Sequence, residues 1–216
     1  QAEQAAPSIG IVGLGAGALA CYRRPGEDWR FYEIDPLVVR LATDGRFFDL
    51  MPRCAPDAPI IVGDARLTLA QEADTRFDLL VIDAFSSDAI PMHLLTREAI
   101  ALYTSRLRDG GAIVLHISNR YLDLRPIVAA LVADQGMVAR AGLNSGSTTT
   151  DNDRGTDAVA SSPSLWVAIT RTPADLEQLR LSARWTEIPE TPGRRVWTDD
   201  YSNILKAIRW GGLNLD

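Results

Sequence analysis

The chain has 216 residues, long enough for one sizeable hydrophobic core and short for two. Apolar residues make up 46% and charged residues 23%, the balance of an ordinary globular domain rather than a disordered or fibrous chain. The net charge of −6 argues against a nucleic-acid partner, which wants a basic face. No apolar run reaches the roughly 18 residues that a membrane-spanning helix needs.

The chain opens on Gln1, and residues 1–7 read as a polar linker of a processed fragment with no signal-peptide pattern. The run "SIGIVGLG" at 8–15 then predicts a strand, and 16–23 a helix. A second strand is expected at 29–35 and a helix at 36–43, where "DP" supplies a cap and a first-turn proline. Strands follow at 59–64, 77–83, 112–118, 137–143 and 165–171. Helical patterns fill 65–71, 97–107 and 124–135, and "RLRDGG" reads as a basic helix end closed by glycine. Thr96 reads as a helix N-cap with Glu98 in the first turn.

Runs such as "FDLLVID" and "AIVLHIS" are continuously apolar, as in strands buried on both faces. Strands alternating with helices predict a doubly wound α/β sheet. The long polar stretch "NSGSTTTDNDRGTDAVASSP" reads as a surface loop. Residues 8–171 form the expected domain. Residues 172–216 form a tail that opens on the helix-like "TPADLEQLRLSA" and packs on the domain through Trp197, Ile204, Leu205, Ile208 and Trp210.

Cys21 and Cys54 are the only cysteines; lacking CxxC spacing, they are expected as reduced, buried thiols of a cytoplasmic protein. His93 and His116 are the only histidines, and no paired-histidine motif suggests a metal.

Open α/β sheets bind ligands beyond the carboxyl ends of their strands. The first strand ends in Gly13, Gly15 and Gly17, the second in Glu33 and Asp35, the third in Asp64, the fourth in Asp83, and the fifth in His116, Ser118 and Asn119. One Asp after one strand is usually a helix cap; carboxylates and a glycine turn at four consecutive strand ends point to a ligand. Gly13-x-Gly15-x-x-Ala18 fits the relaxed dinucleotide fingerprint, and Glu33 stands where a ribose-binding acid belongs, so a nicotinamide or flavin ligand stays open on those residues. Asp64 suits an adenine amino group. Asp83 suits a sulfonium cation or an amine nucleophile, whose positive charge it stabilises and whose proton it can take.

"VGLGAG", "FYEIDP", "GDAR", "VIDAFSSDAIP" and "WTDDYSNIL", in that order, resemble the spermidine synthase-like family, most of all a bacterial branch fused behind a membrane-transporter-like region. The resemblance implies a class I S-adenosylmethionine-dependent methyltransferase-like Rossmann fold. Its sheet would have seven mostly parallel strands in the order 3-2-1-4-5-7-6, with an antiparallel last strand. It implies binding of S-adenosylmethionine or its decarboxylated form as co-substrate, with release of methylthioadenosine and no metal. Gly13, Gly15 and Gly17 would line the aminopropyl end and the ribose. Glu33 would take the ribose hydroxyls, Ile34 would lie on the adenine, and Asp64 and Ala65 would meet its edge. Asp83 would be the catalytic carboxylate, with Asp88 as its second acid. Asn119, Asp200 and Tyr201 are the expected substrate-side residues, the last two on a tail folded over the pocket.

The chain departs from the family pattern at Ala16, where an acid normally stands, and in the spacing of Asp83 and Asp88. Fewer than ten residues precede the first strand, where the family carries a β-rich region. The leading expectation is alkyl transfer, of an aminopropyl group, to a small amine. The alternatives are a methyltransferase or S-adenosylmethionine-rearranging enzyme, and a non-catalytic sensing domain. The expected partners are the amine, a membrane region and a second copy in a homodimer, in the cytoplasm.

Overall fold

A computed structural model describes residues 6–84, 91–144, 163–179, 181–189 and 193–208. Its elements are β1 (Ser8–Val12), a 3-10 turn at Ala18–Tyr22, β2 (Asp28–Glu33), α1 (Pro36–Thr43), α2 (Leu50–Cys54), β3 (Ile60–Val62), α3 (Ala65–Gln71) and β4 (Phe77–Ile82). Then come α4 (Arg97–Ser105), β5 (Leu107–His116), α5 (Arg125–Asp134), β6 (Val138–Asn144), β7 (Ser164–Thr170), α6 (Pro173–Gln178) and β8 (Trp185–Glu187).

All eight strands join one sheet in the order β3-β2-β1-β4-β5-β7-β6-β8. β1 to β5 run parallel, while β7 is antiparallel to both β5 and β6, and β8 is antiparallel to β6. This is the expected doubly wound class, with an eighth strand added. β8 went unforeseen because it has only three residues and depends on a distant partner. Gly142 of β6 pairs with Trp185, and a β-carbon at Gly142 would occupy the indole.

Alternation along the strands splits the core in two. Tyr32, Leu80 and Ile82 face one cluster with α3, α4 and α5. Phe31, Ile11 and Val81 face the other, with Met51 of α2 and Ala42 of α1. Two-sided burial is the reason these strands read as unbroken apolar runs.

Local capping sets the helix starts. Asp35 accepts the Leu37 N–H and Pro36 fills the first turn of α1. Thr96 accepts the Ala99 N–H at the head of α4, with Glu98 in the first turn, as expected. The expected helix through Leu107 ends instead at Ser105. "RLRDGG" supplies the start of β5: Leu107 pairs with Phe77 before an irregularity, and Gly110 takes a positive φ of 74° there. The glycines therefore bend a strand rather than close a helix.

Cys21 and Cys54, expected as buried thiols, are joined in a disulfide with a Cα–Cα distance of 4.8 Å. Cys21 is exposed and Cys54 half-buried. The bond ties the 3-10 turn after the glycine loop to α2 through two cysteines 33 positions apart. Among the described residues no helix is long and apolar enough to cross a membrane.

Candidate active site

Strand order reverses between β1 and β4, and a cavity of about 290 Å³ opens beyond their carboxyl ends. Four strand ends line it, together with Pro91, His93 and Leu94.

β1 hands over to the glycine loop at Gly13, whose N–H donates to Tyr32 O at 2.8 Å. Its φ of +98° lies in the left-handed region, and a side chain there would collide with the Asp83 carbonyl. The bare backbone thus lets β1 and β4 end side by side. Gly13 and Gly15 line the cavity. Gly17 does not: it is buried against Met51, at the head of the 3-10 turn.

Glu33 ends β2 and is buried, yet it has no cationic partner among the described residues. Its Oε2 accepts the Leu14 N–H at 2.9 Å and its Oε1 accepts the Asp35 N–H at 3.0 Å. One carboxylate therefore fixes the glycine loop and its own turn, and each oxygen keeps a lone pair for a hydroxyl donor. Ile34, beside it, is 65% exposed and offers a flat apolar surface to the cavity.

Asp64 combines two tasks. Its Oδ1 caps α3 by accepting the Arg66 and Leu67 N–H groups, while its Oδ2 lies 3.1 Å from His93 Nε2. Ala65 follows it in the cavity wall. His93 was not foreseen as a site residue; as a lone histidine 29 positions from Asp64, it carries no spacing signal.

Asp83 stands just past β4, in line with Gly13. Its Oδ1 is 2.6 Å from His116 Nδ1, and among the described residues Oδ2 has no hydrogen-bond partner. Asp88 lies outside the described residues, as does most of the polar stretch before β7.

The other expected substrate-side residues stand apart from this cavity. Asn119 Oδ1 accepts the Tyr121 and Leu122 N–H groups and so shapes the turn after β5. Asp200 is exposed in a tight turn closed by the Thr198 and Tyr201 backbones. Tyr201 lies under the Arg195 guanidinium, 3.7 Å from it, and lines a different cavity with Lys206. It is the neighbouring Asp199 that reaches the domain. Its carboxylate takes two hydrogen bonds from Arg66 at 2.7 and 2.8 Å and one from Thr96 at 2.8 Å. Trp197 is buried as expected, whereas Leu205 is exposed and Trp210 lies outside the described residues.

The charge balance discriminates between ligands. Glu33, Asp64 and Asp83 all face the cavity, and no Lys or Arg is among the described residues lining it. A dinucleotide pyrophosphate would be repelled here. It would also meet a five-residue 3-10 turn rather than the amino end of a long helix. A sulfonium carrying an adenosyl group fits both the acids and the apolar wall.

No protein-family model matches the chain. A polyamine aminopropyltransferase of Vibrio vulnificus is 30% identical over 109 residues, covering 48% of this chain and 35% of that one. An N-terminal histidine N-methyltransferase of Emericella nidulans is 31% identical over 114 residues, covering 50% of this chain and 19% of that one. Among solved structures, a probable spermidine synthase from Corynebacterium glutamicum superposes with a TM-score of 0.58 at 19% identity, covering 92% of this chain and 74% of that one. Human methyltransferase-like protein 13 in complex with SAH gives 0.52 at 16% identity, covering 91% and 86%. The aligned stretches thus span well under half of the curated relatives. In sequence the chain is similar, at low identity, to a polyamine aminopropyltransferase, and it shares its fold with a probable spermidine synthase and a class I methyltransferase.

Proposed function

We propose that the protein is a transferase that binds an adenosyl sulfonium in the strand-end cavity and passes an aminopropyl group to a small amine. The observation that carries this reading is the state of Asp83. One carboxylate oxygen is held by His116, and the other has no hydrogen-bond partner among the described residues, in a cavity lined by two further acids. Glu33 would hold the ribose hydroxyls, Ile34 would lie against the adenine, and Asp64 with His93 would meet its edge.

The sulfonium supplies an activated carbon and a thioether leaving group. The amine lone pair forms the new C–N bond as the C–S bond breaks and sulfur keeps the electron pair. Asp83 Oδ2 orients the amine and takes its N–H proton. The acid row holds the sulfonium cation and stabilises the positive charge as it passes from sulfur to the amine nitrogen, and positioning of the two reactants supplies much of the rate.

A second reading keeps the ligand and changes the transferred group to methyl. It is favoured by Ala16, which leaves the aminopropyl end one acid short of the family pattern, and by the methyltransferase relative. A sensing domain that binds without turnover is the third. Calorimetry with decarboxylated and ordinary S-adenosylmethionine tests these readings. Tighter binding of the decarboxylated form supports aminopropyl transfer, and a clear preference for the carboxylated form sinks it.

In the full protein, the amine, a membrane region and a second copy remain the proposed partners. The disulfide bears on location, because such bonds persist in oxidising compartments and are rare in the cytosol.

A further inference from the structure

β4 and β5 run parallel with Ile82 opposite Leu115, which brings Asp83 beside His116. β5 pairs on its other side with β7, where His116 stands opposite Trp166. The imidazole stacks on that indole with ring centroids 4.5 Å apart and planes 19° from parallel. Each of its nitrogens has one partner: Nδ1 lies 2.6 Å from Asp83 Oδ1 and Nε2 lies 2.7 Å from Ser118 Oγ. Ser118 Oγ in turn accepts the Leu165 N–H at 2.7 Å.

These bonds have one arrangement that satisfies every group with a neutral imidazole. The Leu165 amide can only donate, so it fills one acceptor position of Ser118. Ser118 Oγ keeps a second acceptor position and its own hydrogen, so it can meet either tautomer. The ionised Asp83 carboxylate can only accept, so the ring proton sits on Nδ1 and donates to it, and the Ser118 hydroxyl donates to Nε2. The reverse tautomer would set the Nδ1 lone pair against a carboxylate oxygen at 2.6 Å, an unfavourable contact.

We propose that His116 is the positioning residue for Asp83, its Nδ1–H tautomer set by the carboxylate it faces, its Nε2 anchored by Ser118 and its plane held by Trp166. This rests on the reading of Asp83 as the proton acceptor. By engaging Oδ1, His116 fixes the carboxylate plane and leaves Oδ2 aimed at the amine. Its own proton stays on Nδ1 throughout the transfer step. Three strand ends thus act as one unit, and a ring misplaced by about 1 Å would cost on the order of a hundredfold in rate.

Two measurements test this. His93 and His116 are the only histidines, so long-range proton–nitrogen NMR of the imidazoles, assigned with His93→Gln, reads each tautomer directly. The neutral His116 ring is expected as the Nδ1–H form. That preference should weaken in Asp83→Ala, while His93 stays unchanged. An Nε2–H form in the wild type, or a tautomer indifferent to Asp83→Ala, overturns the proposal. Kinetically, His116→Ala should lower kcat on the order of a hundredfold with the sulfonium Kd within about threefold. His116→Asn, whose amide can still donate to Asp83, should recover part of that loss. An unchanged kcat in His116→Ala, or equal losses in both variants, overturns it. If the wild type transfers no group to any amine, the aminopropyl reading fails, and the tautomer still decides whether His116 is set against Asp83.

Discussion

Glu33 and Leu14 are joined by a hydrogen bond of 2.9 Å that ties the acid at the end of β2 to the backbone of the glycine loop after β1. The same carboxylate holds the Asp35 amide, so it serves the fold and the ligand at once. Glu33→Ala leaves the buried Leu14 N–H unpaired, a loss of about 1–3 kcal/mol in stability. It should also weaken adenosyl binding at least tenfold. Glu33→Gln keeps one oxygen as an acceptor and should lose less of both. Thermal melts with and without S-adenosylmethionine check this; equal behaviour of the two variants would contradict it.

Gly13 and Gly15 should part company on substitution. Gly13→Ala drives a methyl into the Asp83 carbonyl, whereas a β-carbon at Gly15 meets no atom within 4 Å. Both positions have positive φ, so each alanine carries a backbone strain of about 1–2 kcal/mol. Only Gly13→Ala must also push β1 from β4. Denaturant midpoints should fall clearly further for Gly13→Ala than for Gly15→Ala, and the reverse order would contradict the close approach of the two strand ends.

The Arg66–Asp199 pair makes the tail acid-labile. Hydrogen bonds from the Arg66 guanidinium hold the Asp199 carboxyl below the usual carboxylate range; Thr96 adds to this and partial burial opposes it. The folded value is depressed, so the stabilisation is complete above the ordinary Asp value of about 3.9. It is lost as pH falls through the folded value. Because Asp199 is half exposed, solvent screening limits its worth to about 1 kcal/mol. Asp199→Asn should therefore melt below the wild type at pH 7, with the gap narrowing as pH falls below about 3.9 and closing below the folded value. A gap that persists in acid would show that another contact holds the tail.

The Cys21–Cys54 disulfide closes a loop of 33 residues, which in the chain-entropy model stabilises by about 3–4 kcal/mol. Dithiothreitol, or the Cys21→Ser/Cys54→Ser pair, should lower Tm by on the order of 10 °C. Labelling of free thiols should appear only after reduction. Ready labelling of both thiols in the untreated protein would contradict the bond and favour the reduced state expected from their spacing.

The legible parts of this protein were those written locally. α1 and α3 fall where expected because Asp35–Pro36 and Asp64 carry their own caps. The strand-end acids were visible because apolar runs stop at them. Features made by distant contacts were not. β8 depends on Trp185 filling the space above Gly142, and the disulfide depends on α2, whose five residues carry no clear periodicity. "RLRDGG" misled because basic residues and glycine mark a helix end as well as a bent strand. Asp64 turned out to be both helix cap and cavity wall, two roles that one residue can fill. His116 was noticed at its strand end, but its bond to Asp83 follows from the parallel register of β4 and β5.

In the proposed reaction Asp83 takes a proton during alkyl transfer from an adenosyl sulfonium. Mass spectrometry of decarboxylated S-adenosylmethionine and putrescine, incubated with the wild type and with Asp83→Asn, is the decisive experiment. Equal amounts of methylthioadenosine and aminopropylated amine are expected from the wild type. A loss of about 10²–10⁴-fold is expected in the variant, with sulfonium binding largely kept. Equal turnover by the two proteins, or no methylthioadenosine from the wild type with any amine, would contradict it.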